Sequence, residues 1–145
     1  MITGRESNII RCMAPEVRER EEAKQRAAEA RYIAEVEKTE QQLFNKWLKE
    51  QCVAGKLYFV NARSDKPSTI RPGHPDYTIW IKDKVILIEM KVAGGKLSDE
   101  QQQAIWDLER LGHVVWITWN HHQAIAIVEH YLTQFCNRKK QWISH

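Results

Sequence analysis

Apolar residues recur along this chain at two different spacings, and the switches between them mark out its elements. Tyr77-Thr78-Ile79-Trp80-Ile81 is aromatic and β-branched, and Val85-Ile86-Leu87-Ile88 repeats that character after the polar link Lys82-Asp83-Lys84. Two such runs joined so briefly read as the antiparallel strands of a hairpin. Leu57-Tyr58-Phe59-Val60 and Val114–Trp119 read as two more strands. Elsewhere the period is helical. Leu43, Phe44, Trp47 and Leu48 form one stripe in a helix that ends at Gly55, and Gln101, Ile105 and Leu108 form another in a helix that stops at Gly112. A last helix is predicted from about Gln123 to Phe135. Before all of these, Pro15 opens a run of Glu, Arg, Lys and Ala to about Lys38 that favours helix. Its stripe is weak (Val17, Ile33, Val36) and no heptad is sustained, so it reads as an exposed charged helix or as a dimerisation arm.

This pattern divides the 145 residues into a tail and charged helix over 1–38, one α/β domain over 39–137 and a basic tail over 138–145. Residues 1–13 read as poorly ordered. No apolar run approaches the roughly 18 residues of a membrane helix, and the N-terminus lacks a signal-peptide core, which predicts a soluble intracellular protein with no membrane partner. Cys12, Cys52 and Cys136 are odd in number and widely spaced. They point to a reducing compartment and away from a zinc site or a disulfide framework. His121-His122 reads as a solvated pair ahead of the last helix.

The candidate chemistry sits in and around the hairpin. Folding back at Asp83 brings Asp76, in Gly73-His74-Pro75-Asp76, beside Glu89-Met90-Lys91. Side chains alternate along a strand, so Glu89 and Lys91 share one face and Met90 takes the other. Two acids and an ammonium gathered this way suit a magnesium-dependent phosphodiesterase. Taken alone, Glu-x-Lys could simply be an ion pair capping a buried strand. Glu40 lies on the stripe of Leu43 and Phe44, either as an acid of a helix's first turn or as a residue reaching the site. Gln101 has capping-box spacing from Ser98 yet also faces the sheet, where its amide could position water or phosphate.

With these residues in view, the chain resembles the VRR-NUC family, a branch of the PD-(D/E)xK nucleases. Glu40, Gly73-His74-Pro75-Asp76, Glu89-Met90-Lys91, the Gly95–Gln101 segment with Ser98 and Gln101, and Gly112 fit the family's order and spacing from about Glu40 to about Val128. The segment before residue 40 lies outside that pattern. The resemblance implies a restriction-endonuclease-like αβββαβ core with a central mixed sheet flanked by helices, here with an extra charged N-terminal helix. It also implies Mg²⁺ or Mn²⁺ as cofactor, DNA as substrate, and a small bacterial or phage enzyme of the cytoplasm that acts as a homodimer on branched DNA such as a Holliday junction. In that reading Asp76, Glu89 and the Met90 carbonyl bind the metal, and Glu40 completes a second position or orients a water. Lys91 meets the phosphate or the nucleophile, and Gln101 positions water or phosphate. Hydrolysis would leave a 5′-phosphate and a 3′-hydroxyl.

Charge extends this picture outward. Residues 1–40 carry eight Lys/Arg against nine Glu, whereas 41–145 carry fourteen against ten acids. Arg63, Lys66 and Arg71 precede Asp76 and could grip backbone phosphates, or form a merely solvated loop. Lys96 and the helix start at Ser98 make a second candidate phosphate edge. Two rivals remain: a restriction-type or RNA-directed nuclease on the same fold, and a non-catalytic DNA-binding module or subunit. Retention of Asp76, Glu89 and Lys91 speaks against the last, because bare acids beside phosphates only weaken binding.

Overall fold

A computed structural model describes residues 14–62 and 71–143, with side chains through Gln134. The chain divides into two compact units, the first ending at Val36 and the second starting at Glu37. In the first, the helix carries surface pairs such as Lys24–Glu21 at 2.8 Å, which add little to stability. Helix α1 runs from Pro15 to Val53 without a break. The two helices expected on either side of Lys38 are therefore one, and the reason is local: no Gly or Pro stands between Ala34 and Phe44 to end the first. At its C-terminus Lys56 N–H bonds Gln51 O and Gly55 N–H bonds Cys52 O, the paired bonds of a Schellman motif.

The second unit holds a four-stranded sheet in the order β1 (Tyr58–Asn61), β2 (Tyr77–Ile81), β3 (Lys84–Met90), β4 (Val115–Thr118). The first three strands are antiparallel, and β3 pairs with β4 in parallel. A parallel pair needs a crossover, supplied here by helix α2 (Asp99–Arg110). Helix α3 (His121–Ile143) closes the order. This is the α/β arrangement that the resemblance implied, with α3 starting earlier and running further than its apolar pattern suggested.

Each face of the sheet has its own core. Tyr77, Ile79, Ile81, Ile86, Ile88 and Met90 pack with Phe44 and Leu48 of α1 and with Ala124 and Val128 of α3. On the opposite face Leu87, Ile105 and Val115 form a smaller core with Leu97 and Leu108. Buried from both sides, β3 needs its continuous apolar run. It extends two residues beyond Ile88, so Glu89 lies inside the strand rather than after it.

Gly73 fastens the approach to β2. At φ +83° it takes a left-handed conformation, and a Cβ there would collide with the Glu100 carbonyl and lie 2.8 Å from Gln101 N. The glycine therefore lets the segment before Asp76 lie directly on the start of α2. Gly73→Ala is expected to cost roughly 2–4 kcal/mol, from left-handed strain together with overpacking. Urea unfolding measures it, and a cost below about 0.5 kcal/mol would disprove the contact.

Candidate active site

The hairpin register does most of the assembly. Tyr77 pairs with Ile88, so the next residues out, Asp76 and Glu89, come face to face. Asp76 N–H donates to Glu89 Oε2 at 3.3 Å, and Met90 N–H donates to Asp76 Oδ2 at 2.8 Å. Met90 turns into the α1–α3 core, which leaves Glu89 and Lys91 on the α2 side. Lys91 Nζ stands 3.4 Å from Glu89 Oε1, and its backbone N–H reaches Thr118 O at 2.8 Å, which ties the strand end to β4.

Gln101 performs the capping task that the sequence offered, and its amide also reaches the sheet, where it meets Glu89. Ser98 Oγ accepts the Gln101 backbone N–H at 3.1 Å, and Gln101 Oε1 accepts the Ser98 N–H at 2.9 Å, completing a capping box. The amide nitrogen then donates to Glu89 Oε1 at 2.6 Å. Cap and site thus share one side chain, and the start of α2 fixes the orientation of a buried carboxylate.

That carboxylate is under electrostatic stress. Glu89 is 1% exposed. Burial, followed by the neighbouring Asp76, pushes its carboxyl up to about 8, against the pull of Lys91 and the Asp76 N–H. Burial likewise raises Asp76 to about 6, with Glu37 adding to the rise and the Met90 N–H and Lys91 opposing it. With both carboxyls ionised, one lysine does not neutralise this pair. Two adjacent hard oxygen donors short of positive charge fit a divalent cation. Among the described residues no three His, Cys, Asp or Glu side chains cluster as a metal site. An ion here would therefore rest on two carboxylates, a backbone oxygen and water, which is the habit of Mg²⁺.

Glu40 has a different neighbour from the one expected. Its Oε2 accepts the His121 backbone N–H at 2.7 Å and contacts His121 Nδ1 at 2.5 Å. Burial raises this carboxyl, but the two His121 bonds and the charges of His121 and His122 outweigh it and hold it below its ordinary range. His121 is accordingly no solvated loop residue: it begins α3, is half-buried, and binds α1 to it. The helical acid whose charge reaches Asp76 is Glu37, one turn earlier. Residues three apart on a helix share a face, so the position of Glu40 on its stripe also pointed to Glu37.

The outer residues are only partly in view. Arg63 and Lys66 lie outside the described residues. Arg71 pairs with Asp107 of α2 at 3.0 Å, and Asp107 also binds Arg110. His74 Nε2 lies 3.1 Å from Thr78 Oγ1, on the strand between Asp76 and Trp80. Ser98 serves as N-cap, and Lys96 is exposed just ahead of it.

The family profile of the VRR-NUC domain matches residues 13–130. The chain belongs to the VRR-NUC family. VRR-NUC is a nuclease family, so this is a DNA-processing nuclease domain. The match begins far ahead of Glu40 and takes in the N-terminal part of α1, which the motifs alone left outside the VRR-NUC pattern. No curated protein and no solved structure matches the chain. Among the described residues no helix is long and apolar enough to cross a membrane.

Proposed function

We propose that this VRR-NUC domain is a Mg²⁺- or Mn²⁺-dependent DNA endonuclease, selective for branched DNA and active as a homodimer in the cytoplasm. The observation that carries the metal-dependent reading is the Asp76–Glu89 pair, held face to face and short of positive charge. Asp76, Glu89 and the Met90 carbonyl would hold the ion, which supplies charge neutralisation at the scissile phosphate and a more acidic bound water. Lys91, fixed beside Glu89, presents its ammonium to the phosphate oxygens. Gln101 acts as a positioning residue that sets the rotamer of Glu89.

Glu37 is the better placed of the two α1 acids to join this group, and Glu40 then serves the α1–α3 contact. Glu37→Gln is expected to lower cleavage about 100-fold with little change in melting temperature. Glu40→Gln should instead lower the melting temperature and leave most of the activity. Equal rates for Glu37→Gln and wild type would return the role to Glu40. Substrate choice is tested with a panel of duplex, single strand, flap and four-way junction in Mn²⁺. Faster cutting of the branched members supports selectivity, and equal rates on all four contradict it. Binding in EDTA with no cleavage in either metal would favour the non-catalytic module.

A further inference from the structure

The sheet face that carries the acids does not end with them. Alternation along β2 puts Asp76, Thr78 and Trp80 on one face, and the same rule puts Glu89, Leu87 and Val85 there on β3. On β1, Tyr58 pairs with Trp80 and Val60 with Thr78, and Trp80 also pairs with Val85. Tyr58, Trp80 and Val85 therefore form a cross-strand row, four residues along β2 from Asp76. Helix α2 packs over β3 and β4 through Ile105 and Leu108 and leaves this row uncovered. Tyr58 is 62% exposed, Trp80 37% and Val85 43%. The two rings are 5.6 Å apart at their centroids and tilted to one another.

Large aromatics kept in water need a reason, and four features bear on it. The rings share the face of the hydrolytic acids. Four residues of strand put Trp80 ~13 Å from Asp76, or about four base steps at the 3.4 Å per nucleotide of a duplex strand. Tyr58 and Trp80 also edge an open cavity of about 970 Å³ that extends to Trp47 and Leu132 of the α1–α3 layer and whose charged wall residues are Lys56, Lys82 and one acid, Glu129. The row is three side chains wide, whereas a stable protein interface engages ~20–30 residues a side. Aromatic faces bordered by lysines suit unpaired bases, which stack without regard to sequence.

We infer that Tyr58 and Trp80 form a stacking platform for single-stranded DNA leading to or from the Asp76–Glu89 centre. The inference deepens the nuclease reading by giving the substrate an unpaired segment, and it rests on that reading for its direction. Its test needs no cleavage. Binding of a fluorescent oligothymidylate and of a blunt duplex is measured in EDTA for wild type, Tyr58→Leu, Trp80→Leu and Trp80→Phe, with circular dichroism melts as the check on folding. Each Leu variant is expected to bind oligothymidylate at least about fivefold more weakly, with a smaller change on duplex, and Trp80→Phe should retain most of the affinity. Equal oligothymidylate affinity for wild type and Leu variants overturns the platform. So does a dimer in wild type that becomes monomeric in Trp80→Leu, which would make the row a contact between copies. Failure of wild type to cleave any DNA would leave these binding ratios intact and would count against the nuclease chemistry alone.

Discussion

Glu89→Gln is expected to abolish DNA cleavage and to make the metal-free protein more stable at pH 8. Loss of cleavage follows, on the proposed mechanism, from removing one of the two carboxylates that would hold the metal. The gain in stability follows from linkage. In the folded chain the Glu89 carboxyl keeps its proton up to about pH 8, against an ordinary value of 4.5. Below both values the group is neutral in either state and costs nothing. As pH rises past 4.5 the unfolded chain releases the proton while the folded chain holds it, so stability falls and the full penalty is present above about 8. Asp76, raised from 3.8 to about 6, adds to the decline over a lower window. The combined effect is on the order of a few kcal/mol, or roughly 5–10 °C in melting temperature. Wild type in EDTA should therefore melt lower at pH 8 than at pH 5.5, and Mn²⁺ should restore much of the difference. Glu89→Gln should show a shallower slope and little response to Mn²⁺. A variant that melts below wild type at pH 8 would contradict this.

Lys91→Ala is expected to reduce cleavage by about 10³-fold at pH 7. Two causes combine in that figure. On the proposed mechanism the ammonium would meet the phosphate as a preorganised positive charge, and in the structure it pulls both neighbouring carboxyls down toward ionisation. Without it Asp76 and Glu89 hold their protons to higher pH, and metal binds less well at neutrality. The pH–rate profile in saturating Mn²⁺ separates the two. Activity that stays low from pH 7 to 9 assigns the larger share to the phosphate contact. Recovery toward the wild-type rate at pH 9 would assign it to the carboxylates.

The hairpin and its charges were legible in the sequence because strand alternation and a short turn leave little freedom. Once Lys82-Asp83 is a turn, Asp76 must meet Glu89, and Met90 must face away from them. Helix α2 was equally readable, since its cap, its stripe and its closing glycine agree. Two things were not. The continuity of α1 was hidden because a weak apolar stripe and a strong one follow each other, and the change in burial looked like a change of element. The partner of Glu40 was hidden because periodicity gives a face of a helix but not what lies across it. His121, 81 residues away, claims that carboxylate, and only the fold brings the two together. The aromatic row escaped for a related reason: Tyr58 and Trp80 each look like an ordinary strand residue until register places them side by side.

The most direct test of the metal-dependent nuclease is cleavage of end-labelled branched DNA by wild-type protein in Mn²⁺, in Mg²⁺ and in EDTA. Cuts in the metal lanes that leave 5′-phosphate ends, with none in EDTA, are the predicted result. Intact substrate in all three lanes, or equal cutting in EDTA, would contradict it.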